Sequence, residues 1–227
     1  MISQSPPAIQ ITALASSKVN PSKKVTIDAT VSVSDGSAFN ASWSLAYGTL
    51  ATGYNLPMAA LTRLALASTS GSSSFNLPVV LNPAGLMPTT AYTFMLSAQN
   101  EFGVKGTSTI SFYTVGPPTS GNIRVSPDTG RALLTRFSFF GEDCVDSVDA
   151  YPLVYSFFYI IGEDGPGATE YQLAANQMTP RLEDMTLPPG VNETSIITAV
   201  CYVKNVYEAS ARSTATVTVY PADVSGI

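Results

Sequence analysis

The sequence has no histidine and little charge. Of its 227 residues, 12% are Asp, Glu, Lys or Arg, and the net charge is −5. Without histidine, the commonest general base, the usual zinc ligand and every Ser-His or Cys-His nucleophile pair are missing. No Gly-x-Ser-x-Gly, P-loop or dinucleotide-binding glycine pattern takes their place, so no catalytic residue is expected. The 11 basic residues form no cluster, and nucleic acid is therefore not an expected partner. The longest apolar-rich run, Leu153 to Ile161, has nine residues, too few to span a bilayer. The opening MISQSPPAIQ lacks the basic and apolar regions of a signal peptide. The segment is expected to be an excerpt of a longer protein whose signal and anchor lie elsewhere, with Met1 an added start codon.

What is present points to strands. Hydrophobic residues make up 45%, with eleven tyrosines and ten phenylalanines, and 16 glycines and 16 prolines supply turns. Apolar and polar residues alternate with period 2 through Val25-Thr-Ile27-Asp-Ala29-Thr-Val31-Ser-Val33, Ser42–Tyr47, Tyr92–Ala98 and Thr109–Val115. In the second half, Ile123–Pro127 reads as a short first strand. Leu133 to Phe139 reads as the next, with Leu133, Thr135, Phe137 and Phe139 on one face. Leu153–Ile161 is apolar on both faces and so is expected to be central, and Ile197–Val203 and Thr214–Tyr220 complete the set. Between Pro57 and Leu66, Ala, Leu and Met let a helical turn compete with a strand.

Gly116-Pro117-Pro118-Thr-Ser-Gly121 breaks the pattern, because two prolines and two glycines cannot continue a central strand. Domains are expected over 1–117 and 118–227, stiffly related through Pro-Pro. The halves match at their ends. Leu86-Met-Pro88, a strand, Asn100-Glu-Phe102-Gly103 and a last strand are echoed by Leu187-Pro188-Pro-Gly190, a strand, Asn205-Val-Tyr207-Glu208 and a last strand. Tyr92 then corresponds to Ile197, and Leu96 to Cys201. This is the pattern of an all-β chain of two tandem immunoglobulin-like or fibronectin type III-like sandwiches. Tyr92, six residues after Leu86, fits a tyrosine corner, in which the hydroxyl bonds to upstream backbone.

Val125-Ser126-Pro127, Gly130-Arg-Ala132-Leu133-Leu-Thr135-Arg-Phe137 and Pro152-Leu153-Val-Tyr155-Ser-Phe157-Phe-Tyr159 resemble the receptor-for-egg-jelly module of polycystin-1-like proteins and sperm receptors. The resemblance covers roughly residues 75 to 221 and is densest over 117 to 160. One departure stands out: where the family often carries Trp-x-Asp before Pro-Leu, this chain has Cys144-Val-Asp146-Ser-Val-Asp149-Ala-Tyr151. The resemblance implies a large ciliary, flagellar or gamete-surface membrane protein linked to adhesion, ligand reception and coupling to a cation channel. The autoproteolytic site of such proteins normally needs a histidine, which this chain lacks.

Several residues are candidate sites. In an immunoglobulin-like sandwich the second and penultimate strands face one another, so a disulfide from Cys144 to Cys201 is expected over two free thiols. Glu142, Asp143, Asp146 and Asp149 share one loop; a solvated acidic loop is preferred there, with calcium the alternative. No other cofactor is expected. Asn40 and Asn192 head Asn-x-Ser/Thr sequons and are candidate glycosylation sites. The expected role is a non-catalytic extracellular or cell-surface segment, adhesive, ligand-receiving or spacing. Its expected partners are neighbouring domains of a longer chain and a protein or glycan ligand. The alternative is a carbohydrate-binding or accessory module of a secreted or microbial surface protein.

Overall fold

The alternating segments fold as strands, and each half of the chain assembles them in the same order. A computed structural model describes residues 5–69, 73–191 and 194–222. Contacts divide the chain into two units, Met1–Gly116 and Pro117–Ile227.

In the first unit the strands are β1 (Ala8–Ile11), β2 (Lys18–Val19), β3 (Val25–Ile27), β4 (Ala29–Ser32), β5 (Phe39–Tyr47), β6 (Ala65–Ala67), β7 (Ser74–Asn76), β8 (Val79–Leu81), β9 (Ala91–Asn100) and β10 (Lys105–Thr114). One sheet has the order β1-β4-β7, and a β3-β8 ladder is formed by the same two stretches of chain. The other sheet has the order β2-β10-β9-β5-β6. The second unit repeats this with β11 (Asn122–Ser126), β12 (Thr129–Arg131), β13 (Phe137–Glu142), β14 (Val154–Ile161), β15 (Glu170–Gln177), β16 (Arg181–Met185), β17 (Ile196–Lys204) and β18 (Ser210–Tyr220). Its sheets run β11-β13-β16 and β12-β18-β17-β14-β15. In both units the first strand is divided between the sheets, and its second piece lies parallel to the last strand: β2 along β10 and β12 along β18. Both units are immunoglobulin-like sandwiches.

Period 2 sets each core. In β9, Tyr92, Phe94, Leu96 and Ala98 are buried while their neighbours face outward. Across from them lie Ile27, Val31, Leu77 and Leu81. The rings of Phe94 and Phe112 stack at 5.8 Å and 5°. Trp43, beside Leu96 in the β5–β9 register, donates its indole N–H to the Leu77 carbonyl at 2.8 Å, which lets a buried indole keep its hydrogen bond. In the second unit Phe137, Phe139 and Leu187 pack with Phe157, Ile197, Ala199 and Val217. Each fully buried side chain of this size contributes about 1.5–3 kcal/mol.

Tyr92 makes the corner. Its hydroxyl donates to the Thr49 carbonyl at 2.6 Å and accepts from the Met87 amide at 2.9 Å. Asn100 and Asn205 end corresponding strands with the same turn. Each is buried, and each side-chain oxygen accepts two backbone amides, from Phe102 and Val104 in one case and from Tyr207 and Ala209 in the other. The left-handed position of the turn is Gly103 in the first unit and Glu208 in the second.

The helical turn expected near Pro57 is α1 (Leu56–Ala59), capped by Asn55 and followed at a short distance by β6. The strand expected to start at Leu133 differs. Thr129–Arg131 pairs with β18, the chain turns at Ala132–Thr135, and β13 begins only at Phe137. Leu133 has φ of 61° and is 69% exposed, so only Phe137 and Phe139 of the proposed inward face are buried. The cause is the parallel pairing, which pulls the start of the motif into the other sheet.

Candidate functional site

Three places carry the chemically distinctive side chains: the β13–β14 loop, the outer face of the second unit's five-stranded sheet, and the same face of the first unit.

The β13–β14 loop follows Glu142. Its path is fixed at both ends. Thr119 donates its amide to the Val145 carbonyl, and the Thr119 hydroxyl accepts from the Val145 amide, both at 2.9 Å. At the far end the Val206 amide donates to the Ala150 carbonyl at 3.1 Å. Three of the four acidic residues have separate partners. Glu142 pairs with Arg124 at 2.7 Å. Asp146 accepts from its neighbour Ser147 and, at 2.9 Å, from the Asn205 carboxamide. Asp149 accepts from the Tyr207 hydroxyl at 2.9 Å. Asp143 sits at a left-handed φ of 58° and is exposed. The carboxylates thus tie the loop to the β17–β18 turn, and no group of three His, Cys, Asp or Glu side chains that could hold a metal occurs among the described residues.

Cys144 and Cys201 come to the same corner of the core. Both are free thiols in the structure. Cys144 is half-buried, and its thiol donates to the Ser120 carbonyl at 3.3 Å. Cys201 lies inside on β17, and burial pushes its thiol up to about 12, with Cys144 adding to the rise. Burial also raises Cys144, helped by the charge of Asp143. Tyr155, on β14, is raised by burial and then by the two cysteines. A Cβ at Gly141 would meet the Tyr155 ring at 3.2 Å and the Cys201 sulfur at 3.6 Å, so the glycine makes the room that this cluster uses.

On the outer face of the second unit's sheet, a network joins residues that show no motif in sequence. Arg212 on β18 grips Asp164 with two nitrogens at 2.6 and 3.0 Å and Glu170 at 2.9 Å. Tyr202 donates to Glu170 at 3.0 Å and meets Phe158 edge-on at 5.7 Å. Thr198 donates to the Gly162 carbonyl at 2.7 Å. These bonds draw the Gly162–Thr169 connection back against the sheet. Ile160, Thr198 and Val200 point away from the core yet are buried. The hydrogen bonds of Arg212 hold the Asp164 carboxyl below its usual range and raise Arg212 itself.

The same face of the first unit is open. Asn40 lies on β5, between Ala67 of β6 and Gln99 of β9 in register, and it borders a groove of about 550 Å³. Asn192 lies outside the described residues. No helix among the described residues is long and apolar enough to cross a membrane.

The family model described as the REJ domain matches residues 1–226, both units together. No curated protein sequence matches the chain. Among solved structures, the chain is similar to a 1.5-MDa bacterial ice-binding adhesin at 12% identity and a TM-score of 0.48, covering 96% of this chain and 66% of that one. It is similar to the FN1–FN3 domains of chicken CNTN1 at 12% identity and a TM-score of 0.36, covering 96% and 69%. It is also similar to murine CEACAM1b at 11% identity and a TM-score of 0.31, covering 95% and 100%.

Proposed function

The chain belongs to the REJ domain family, and from that premise we propose that it is a non-catalytic, extracellular segment of a cell-surface protein, acting in adhesion or ligand reception and as a spacer between neighbouring domains. One observation carries the reading: the family match runs through both sandwiches rather than through the second alone. The geometry supports it. Asp146 and Asp149 of the β13–β14 loop are bonded to Asn205 and Tyr207 of the β17–β18 turn, which fixes a loop at one pole of the sandwich. Loops held in this way suit recognition of a partner surface. The Cys144–Cys201 pair belongs to the same reading, because an oxidising exterior favours closing it.

The test is surface access. An antibody raised against residues 5–222 is expected to label intact cells that carry the natural protein, and beads coated with the chain are expected to bind such cells or their ligand-bearing partners. Labelling only after permeabilisation would overturn the extracellular placement. Surface labelling with no bead binding would leave the spacer role and remove the adhesive one. Binding confined to a glycan array would favour the carbohydrate-binding alternative.

A further inference from the structure

The two five-stranded sheets have one topology but treat their outer faces differently. In the second unit that face carries Phe158, Ile160 and Val200 beside the Arg212 network, and the Gly162–Thr169 connection folds back against it. In the first unit the matching face presents Asn40, Ser42, Ser97 and Gln99, with Ala65 and Ala67 of β6 beside them. The hairpin partner at Asn40 is an alanine, and on its other side Gln99 is held away by donating its own amide to the Gly103 carbonyl at 3.1 Å. Asn40 is exposed, and its carboxamide makes no hydrogen bond among the described residues. By contrast, Asn76 on β7 accepts from Thr30 across its strand pair at 3.0 Å.

Asn40 also heads Asn40-Ala41-Ser42. In a strand, residues two apart point to the same face, so Asn40 and Ser42 both look into the groove of about 550 Å³, while Ala41 is buried in the core. We propose that Asn40 carries an N-linked glycan whose first sugars lie along this groove, covering the face that the second unit covers with its own chain. This rests on the extracellular placement above, since the modification is made in the secretory pathway. The Asn40 amide nitrogen forms a bond to C1 of the reducing-end N-acetylglucosamine of a polyprenyl-pyrophosphate-linked oligosaccharide. The bond from C1 to the pyrophosphate breaks, the lipid pyrophosphate leaves, and the amide gives up one proton. No electrons are transferred. Alanines at 65 and 67 leave the space that a pyranose ring needs, and Ser42 and Ser97 offer hydroxyl groups to it.

The experiment directs the full chain into the secretory pathway of a eukaryotic cell with an added leader. A negative result then speaks about Asn40 alone, because passage through the pathway is supplied and the surface-labelling test stands apart. Peptide mapping is expected to find Asn40 glycosylated and converted to aspartate by peptide N-glycosidase, and N40Q is expected to lose that glycan. Recovery of Asn40 unmodified in the secreted chain overturns the site. Seating is read from rates: the folded glycoprotein is expected to release the Asn40 glycan at least tenfold more slowly than the denatured one, and A67W, which fills the groove, is expected to abolish the difference while leaving occupancy unchanged. Equal rates for the folded and denatured wild-type protein overturn the seating.

Discussion

Replacing Tyr92 by phenylalanine isolates one hydroxyl. The ring keeps its place among Phe94 and Phe112, so no cavity forms. What is lost is the donor to the Thr49 carbonyl and the acceptor for the Met87 amide. A buried polar group left without its partner costs about 1–3 kcal/mol. The pair lies at a partly buried edge, where water can satisfy one group in part, which places the total near the low end for two groups, about 2 kcal/mol. For a unit of roughly this size, 1 kcal/mol moves the melting temperature by about 4 °C, so Tyr92→Phe is expected to lower it by about 8 °C. The assay is built into the chain. Trp43, the single tryptophan, sits in the first unit's core, so its fluorescence during urea unfolding follows that unit. The second unit has Ile197 at the position corresponding to Tyr92 and is followed through the reactivity of the buried Cys201. Separate probes are needed because a two-unit chain is not a single two-state system. The expected result is a lower midpoint for Trp43, an unchanged slope and an unchanged Cys201 transition. A Trp43 midpoint shifted by less than about 0.5 kcal/mol would refute the corner as a stabilising contact.

Three further expectations follow from the same geometry. Asn100→Ala and Asn205→Ala each strip two accepted backbone amides from a buried turn. Each should destabilise its own unit by about 1–3 kcal/mol, read by the same two probes, and wild-type midpoints would contradict that. The Cys201 thiol, raised to about 12 by burial, binds its proton more tightly folded than unfolded. Its contribution is therefore complete below about 9, the ordinary thiol value, and is lost as pH rises toward 12. A glutathione redox buffer is expected to link Cys144 to Cys201 and remove this loss. Matching alkaline denaturation curves with and without reductant, or both thiols free after oxidation, would count against it. Arg212→Ala frees Asp164, leaves Glu170 with Tyr202 alone, and should make the Gly162–Thr169 connection a site of fast proteolytic cleavage. In the wild type the same opening is expected as pH falls below the ordinary 3.8 of Asp164, through its depressed folded value, and unchanged cleavage at both would remove the latch.

The sandwich frame was legible because burial in these strands follows strict alternation. Tyr92–Ala98 and Val25–Val33 each show it residue by residue, and the Leu-x-Pro before Tyr92 marked the corner. The Asn100 and Asn205 turns were readable as a repeat for the same reason: a side chain that caps its own turn leaves a local signature. Other features depend on pairing that a local reading cannot supply. Leu133 continues an apolar alternation, yet β12 pairs with β18, almost ninety residues away, and that contact decides where the chain bends. β15 and β16 contain Glu, Gln, Asn and Asp, residues with low strand propensity, and are strands because β14 and β13 pair with them. The acidic loop read in sequence as a solvated loop, with calcium the alternative, and nothing local showed that Asp146 and Asp149 answer to Asn205 and Tyr207 on another turn. Arg212, Asp164, Glu170 and Tyr202 form no motif at all, and only the folding of one connection across a sheet makes them neighbours.

The divided first strand has a mechanical consequence. β12 and β18 run parallel, so in the second unit the chain enters at one end of the ladder and leaves at the other. A pull on both ends slides these strands lengthwise past each other. Ladder bonds under such shear bear the load together, whereas a hairpin pulled at its open end surrenders its bonds one at a time. β2 and β10 are arranged the same way in the first unit, while β1 and β11 anchor the entering chain to the opposite sheet. Each unit therefore meets tension with a clamp at its seam, and stretching either one requires that seam to fail before the core opens.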